Sequence, residues 1–148
     1  MTLPSSNLRM DQVANELNRS FPLSLLDAWV QYLANSAPPI SMSMLFGKTG
    51  RFDGNRTGSG PSIDLSGQPF FSGILSALTS DQATPYVQLT CGPNSSWPGN
   101  VLVRNNSTGV QIVLPKVFNA PAIWQAGVSL PNLVRSGITD SFTIVPSF

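Results

Sequence analysis

Between Gly47 and Gly60 the chain changes its period, and that change constrains the fold more than any other feature. Before it, apolar residues recur at helical spacing. After it, short runs of β-branched and aromatic residues alternate with turn chemistry. The interval itself holds glycines at 47, 50, 54, 58 and 60 together with Lys48, Arg51 and Arg56. Such a stretch reads as a flexible linker or an exposed loop. The expected organisation is a helical docking module over 1–47, a glycine-rich linker or loop over 48–62, and an antiparallel β domain over 63–148. The fold class is α+β: short N-terminal helices followed by a small antiparallel β-sandwich or barrel.

Within the helical part, residues 1–7 are polar with Pro4 and read as an extended or pairing arm. Val13 and Leu17 lie one turn apart, which predicts a short helix over Asp11–Asn18. Ser24-Leu25-Leu26-Asp27 fits a capping box with Ser24 as N-cap. Leu26, Trp29, Val30 and Leu33 then form one apolar stripe, and Pro38-Pro39 ends that helix. Ile40, Met42 and Met44 alternate with Ser41 and Ser43. Ser43 is placed to cap a single turn, Met44–Phe46, which Gly47 ends. The steps Leu8–Asp11, Leu23–Asp27 and Ile40–Ser43 echo one another. Three such units packed together would bury Val13, Leu17, Trp29, Leu33, Leu45 and Phe46.

In the β part, strands are expected at Phe70–Leu78, Tyr86–Cys91, Val101–Asn105, Val110–Leu114, Ala122–Ala126 and Phe142–Val145. Gly92-Pro93-Asn94, Pro98-Gly99-Asn100, Asn106–Gly109 and Pro131-Asn132 supply turns between them. The best hairpin joins Val101–Asn105 to Val110–Leu114.

The chemistry available is narrow. Charged residues make up 10% of the chain, against roughly 25% in a typical soluble domain, and the formal net charge is +1. Between Arg56 and Arg104 the charges are Asp64 and Asp81 alone. A surface with so little charge resists association weakly, so assembly with other chains or with itself is expected. The scattered Lys and Arg give no footprint for nucleic acid. No apolar stretch approaches the ~20 residues that cross a bilayer, so no membrane is expected. The start of the chain lacks a basic region followed by an apolar run, so no export signal is expected.

The chain has no histidine, Glu16 is its one glutamate, and its aspartates are scattered. The usual general base, the commonest metal ligand and a paired-carboxylate site therefore lack a source, and the expectation is no enzyme, no cofactor and no metal. A serine–lysine pair is formally possible at Lys48 or Lys116. Gly47-Lys48-Thr49 is not a phosphate loop, because Met42 stands where that motif needs glycine. Asp53 to Asp64 partly matches a calcium loop, but Arg56 intrudes, and an exposed turn is the better reading. Cys91, the one cysteine, reads as a small buried residue.

Ile40-Ser41-Met42-Ser43-Met44-Leu45-Phe46-Gly47-Lys48-Thr49-Gly50 resembles a recurrent segment of tailed-bacteriophage virion proteins. There the pattern is Ile-Ser-Met-Ser-Asp-Leu-Tyr-Gly-Lys-Ser, preceded by short units similar to Leu8-Arg9-Met10 and Leu23-Ser24-Leu25. The resemblance covers about residues 7–50. Met44 stands where the family usually has Asp, and Phe46 where Tyr is usual. The resemblance implies a virion structural protein of the tail, baseplate or fibre-attachment region, located in the virion and contacting other virion proteins. The interface residues then expected are Trp29, Met42, Met44, Leu45, Phe46 and Trp97. Two alternatives are kept: a capsid decoration (cement) protein, and a β module that binds a host-surface glycan or protein through Trp97, Trp124 and the turns around Asn94.

Overall fold

The computed structural model describes residues 2–147. Two seven-residue helices, α1 (Met10–Glu16) and α2 (Ala28–Ala34), and a single 3-10 turn (Met42–Leu45) precede a run of strands. The strands are β1 (Phe52–Ser59), β2 (Ser62–Phe70), β3 (Gly73–Asp81), β4 (Tyr86–Gly92), β5 (Asn100–Asn105), β6 (Gln111–Leu114), β7 (Lys116–Asn119), β8 (Ala122–Ala126) and β9 (Thr139–Ser147). They form one antiparallel sheet in the order β6-β5-β9-β1-β2-β3-β4-β8-β7. The sheet curls into a nearly closed barrel. Pro115 turns the chain from β6 into β7, and its carbonyl accepts a 3.0 Å bond from the Gln125 amide of β8. That bond ties the far end of the sheet to the corner where its two edges approach.

Period-2 patterning explains the inner surface. In β4 the inward residues Val87, Leu89 and Cys91 are fully buried and alternate with half-exposed Tyr86, Gln88 and Thr90. The β5–β6 hairpin forms as its turn chemistry requires. Asn105 Oδ1 accepts from the amides of Ser107 (2.9 Å) and Thr108 (3.1 Å), and Gly109 supplies φ +78°.

Most of the expected linker or loop over 48–62 is instead β1, an inner strand of the sheet. β1 pairs with β9 from Phe52↔Ile144 to Thr57↔Thr139, and with β2 through Gly58↔Ile63 and Ser59↔Ser62. Backbone ladders make this strand, since Asp53, Gly54, Asn55, Arg56 and Gly58 have little intrinsic strand preference. The β1–β2 hairpin also replaces the calcium-loop pattern, with Asp53 and Asp64 on separate strands. Gly58 has a further reason to be glycine. The Arg135 carbonyl lies 2.2 Å from where a Cβ would sit, and Gly58 exchanges backbone bonds with Gly137 (2.8 Å) and Ile138 (3.0 Å). Gly58→Ala is therefore expected to cost about 3 kcal/mol, read as a lower urea midpoint with an unchanged m-value.

The segment expected as one strand, Phe70–Leu78, breaks at Phe71-Ser72. Both residues have positive φ (45° and 66°) and form the tight turn from β2 to β3. No Gly or Asn marks this turn, so residue-type preference missed it. Packing imposes it: the Phe71 side chain is fully buried, and its backbone bonds to the Thr49 carbonyl (2.8 Å) and the Ser96 amide (2.7 Å). β7 was missed for a similar reason, because four residues with a bulge at Val117 show no alternation.

The helical units pack onto the barrel in one continuous core that runs from Leu3, Val13, Leu17, Val30, Leu33 and Leu45 to the barrel interior. Each unit ends in a left-handed residue: Asn18 and Asn35 at φ 54° and Gly47 at φ 68°. The α2 cap lies at Asp27, not Ser24. Asp27 Oδ1 accepts from the Trp29 amide at 2.9 Å, while Ser24 Oγ accepts from Leu26. Leu26 consequently precedes the helix and is exposed, leaving Trp29, Val30 and Leu33 as the buried stripe. Of the arm expected at 1–7, Thr2 and Leu3 pair with Lys48 and Thr49 of the same chain. Met1 lies outside the described residues.

Candidate functional site

A column of aromatic rings joins the helices to the barrel. Trp97, in the loop after β4, meets Trp29 of α2 at 4.8 Å between ring centroids, Tyr32 at 5.7 Å and Phe71 at 5.0 Å. Phe71 touches Phe70 at 5.1 Å, and Phe70 reaches Trp124 inside the barrel at 6.0 Å. Both buried indoles are satisfied: Trp97 Nε1 donates to the Asn100 carbonyl (2.6 Å) and Trp124 Nε1 to the Gly99 carbonyl (2.8 Å). Arg19 covers the outer side of Trp29, 4.5 Å from its ring centroid.

This column decides the fate of the expected interface residues. Trp29, Leu45 and Trp97 are buried within the chain, so they hold the protein together and present no surface to a partner. Met42 and Met44 are half-buried, and Phe46 is exposed. The expected cap at Ser43 moves back to Ser41, and the turn spans Met42–Leu45 in place of Met44–Phe46. Where the phage pattern has Asp, the Met44 sulfur lies 3.5 Å from the Ser41 amide, a weak acceptor in the position that a carboxylate would fill. Trp97 and Trp124, the places for a glycan in the alternative reading, are both fully buried.

Under the same junction, Glu16 takes a core position on α1 with 1% exposure. One carboxylate oxygen accepts from the amides of Gly50 (2.8 Å) and Arg51 (3.0 Å), fastening α1 to the chain just before β1. Burial pushes its pKa above the ordinary range, while the amide donors pull it back. Next door, burial works against ionisation of Asp53, but hydrogen bonds from Arg51 and Thr143 outweigh it and lower its pKa. Glu16 is thus a structural clamp that the scattered-carboxylate reading passed over. Its signal was a lone acidic residue on the buried face of a helix.

Lys116 and Cys91 sit at the barrel end beneath the 93–99 loop. Lys116 Nζ donates to the carbonyl of Trp97 at 2.7 Å and lies 5.4 Å from the Trp124 ring centroid. Its partner at Ser95 is the backbone carbonyl (3.5 Å), while the Ser95 hydroxyl accepts from the Trp97 amide. The geometry is that of a lysine capping loop carbonyls, not of a serine–lysine pair. Burial pushes the Cys91 thiol up to about 11, which makes it a poor nucleophile. Among the described residues no three His, Cys, Asp or Glu side chains gather to hold a metal, and no helix is long and apolar enough to cross a membrane.

The surface feature of the junction is an open cleft of about 360 Å³ between the C-terminal end of α2 and the 93–99 loop. Gln31, Tyr32, Asn35, Ser36, Ala37 and Ser96 line it. Ser96 Oγ reaches the carbonyls of Tyr32 (2.7 Å) and Phe71 (3.0 Å), fixing the cleft wall to the aromatic column. Comparison with protein-family models, with curated proteins and with solved structures finds no match to this chain. The cleft offers amides, hydroxyls and one phenol ring, and its lining carries no charge. Sequence reading missed it because Tyr32 and Ser96 lie 64 positions apart and no local pattern brings the two together.

Proposed function

We propose that this chain is a structural component of a bacteriophage particle, at the tail, baseplate or fibre-attachment region, acting through contacts with other virion proteins and with copies of itself. The supporting observation is the division of labour in the helical segment. Val13, Leu17, Trp29, Leu33 and Leu45 face inward and anchor it to the barrel. Phe21, Leu26 and Phe46 stay outside, at 63%, 72% and 38% exposure. Large apolar side chains held outward on a fixed segment suit a partner surface. The resemblance of residues 7–50 to phage virion segments and the charge-poor surface agree with this reading. A second outward apolar group, Val113, Val117 and Phe118, flanks the Pro115 corner and suits contact between copies.

Deleting residues 7–50 would remove part of the core, so surface substitutions give the cleaner test. The triple variant Phe21→Ser, Leu26→Ser, Phe46→Ser is expected to keep the wild-type Tm within a few degrees and to drop out of purified particles at least about tenfold, as each lost apolar contact weakens docking. Normal incorporation of a folded triple variant would refute the docking role. Copy number per particle separates the readings within the class, since a capsid decoration protein follows capsid symmetry and tail-end proteins are few.

A further inference from the structure

We propose that the cleft between α2 and the 93–99 loop binds an uncharged sugar ring. The inference rests on the cleft itself and is independent of the assembly reading. At about 360 Å³ the cleft falls at the small end of ligand sites, which span roughly 300–1,000 Å³. Its lining excludes most chemistries. No Lys, Arg, Asp or Glu faces it, so a phosphate, carboxylate or ammonium group would lose water without gaining a counter-charge. A wholly apolar ligand would leave amides and a phenol covered and unpaired. A molecule that alternates hydroxyl groups with a C–H face meets both demands.

The wall is preorganised for such a ligand. Tyr32 is half-exposed and locked edge-on against Trp97 at 5.7 Å and 85°, so its ring is a fixed platform for a C–H face. Gln31 Nε2 is held by the Leu26 carbonyl at 2.9 Å, which leaves Oε1 as an oriented acceptor. Asn35 is set in the left-handed conformation at φ 54°, its backbone amide engaged to the Tyr32 carbonyl at 3.2 Å and its exposed side chain free to give and accept. Ser36 and Ser96 spend their protons on backbone carbonyls and keep lone pairs for a hydroxyl donor. Donors, acceptors and an aromatic face thus converge on one small space, with little to order on binding.

Two substitutions test this without disturbing the fold. Asn35→Gly removes the carboxamide at a position whose positive φ suits glycine. Ala37→Trp places bulk in the cleft mouth from an exposed position. The full chain is titrated by NMR with methyl glycosides of glucose, galactose and N-acetylglucosamine, and in parallel with N-acetylneuraminic acid and a neutral hexapeptide. The expected result is saturable binding of at least one neutral glycoside, with a Kd of roughly 1–10 mM for a single ring. Asn35→Gly is expected to weaken it about fivefold, the worth of one hydrogen bond, and Ala37→Trp to abolish it, both with near-wild-type Tm. Three outcomes overturn the proposal: no saturable neutral-glycoside binding up to about 50 mM, well above the expected Kd; binding that survives Ala37→Trp; or preference for the peptide or the charged sugar. Particle incorporation by the cleft variants should be unchanged, so loss of one property does not entail loss of the other.

Discussion

Trp97→Ala is expected to lower the unfolding free energy by about 4 kcal/mol, the middle of the range for removing a buried indole. The loss is not only of area. Among the described residues, the Trp97 ring touches α2 through Trp29 and Tyr32 and the barrel through Phe71, and its indole N–H donates to the Asn100 carbonyl. The helices gain their stability from this docking, because seven residues are too few to hold a helix in water. The variant should therefore show early trypsin cleavage at Arg9 and Arg19 before the barrel melts, together with loss of near-ultraviolet circular dichroism. Trp97→Phe should recover about half of the stability, since a ring of smaller reach keeps part of the packing and forfeits the bond to Asn100. If the alanine variant unfolds in one step with protease resistance unchanged, the column is not the joint between the two parts.

Asp140→Ala is expected to destabilise by about 2 kcal/mol and to flatten the acid limb of the stability profile. Asp140 is 2% exposed in β9. It accepts from Arg135 Nε at 3.0 Å and from Asn105 Nδ2 at 2.9 Å, with a second bond from Arg135 Nη2 to its other oxygen. Asn105 Nδ2 also reaches the Leu133 carbonyl at 3.0 Å. One carboxylate thereby pins the 127–138 connection to the β5–β9 pair. The Arg135 guanidinium holds the Asp140 pKa below the ordinary carboxylate value. A carboxyl whose folded pKa is lowered stabilises the protein above its unfolded pKa of about 3.9, and that contribution is lost as pH falls through the folded value. Wild-type protein should lose stability progressively below about pH 4, and Asp140→Ala should lose less over the same window. Equal acid slopes in the two proteins would show that another group governs the limb.

The fold class was legible because period carries it. Alternation in 86–91, 101–105 and 110–114 placed β4, β5 and β6, and the turn at Asn106–Gly109 placed their best hairpin. The helical stripe of Trp29, Val30 and Leu33 was legible for the same reason. What sequence could not supply was anything imposed from outside the segment. Phe71 takes a positive φ because Thr49 and Ser96 hold its backbone, and β1 is extended because β9 and β2 flank it. The expected interface failed at Trp97 on a further point. A large aromatic residue in a turn can serve a partner or its own chain, and only the position of α2 decides between them.

The placing of β1 has a consequence for the order in which the molecule is made. Its partner β9 comes last among the described strands, and the bond from Thr143 to Asp53 spans 90 positions of chain. While the intervening residues are being synthesised, β1 waits with one edge unpaired, and pairing this distant is slow to close. An apolar, β-branched strand would invite other chains to that edge during the wait. Phe-Asp-Gly-Asn-Arg-Thr-Gly-Ser does the opposite: glycine weakens it, charge and small polar groups keep it solvated, and only the correct ladder makes it a strand. The features that disguise this strand as a linker also keep the nascent chain from pairing too soon.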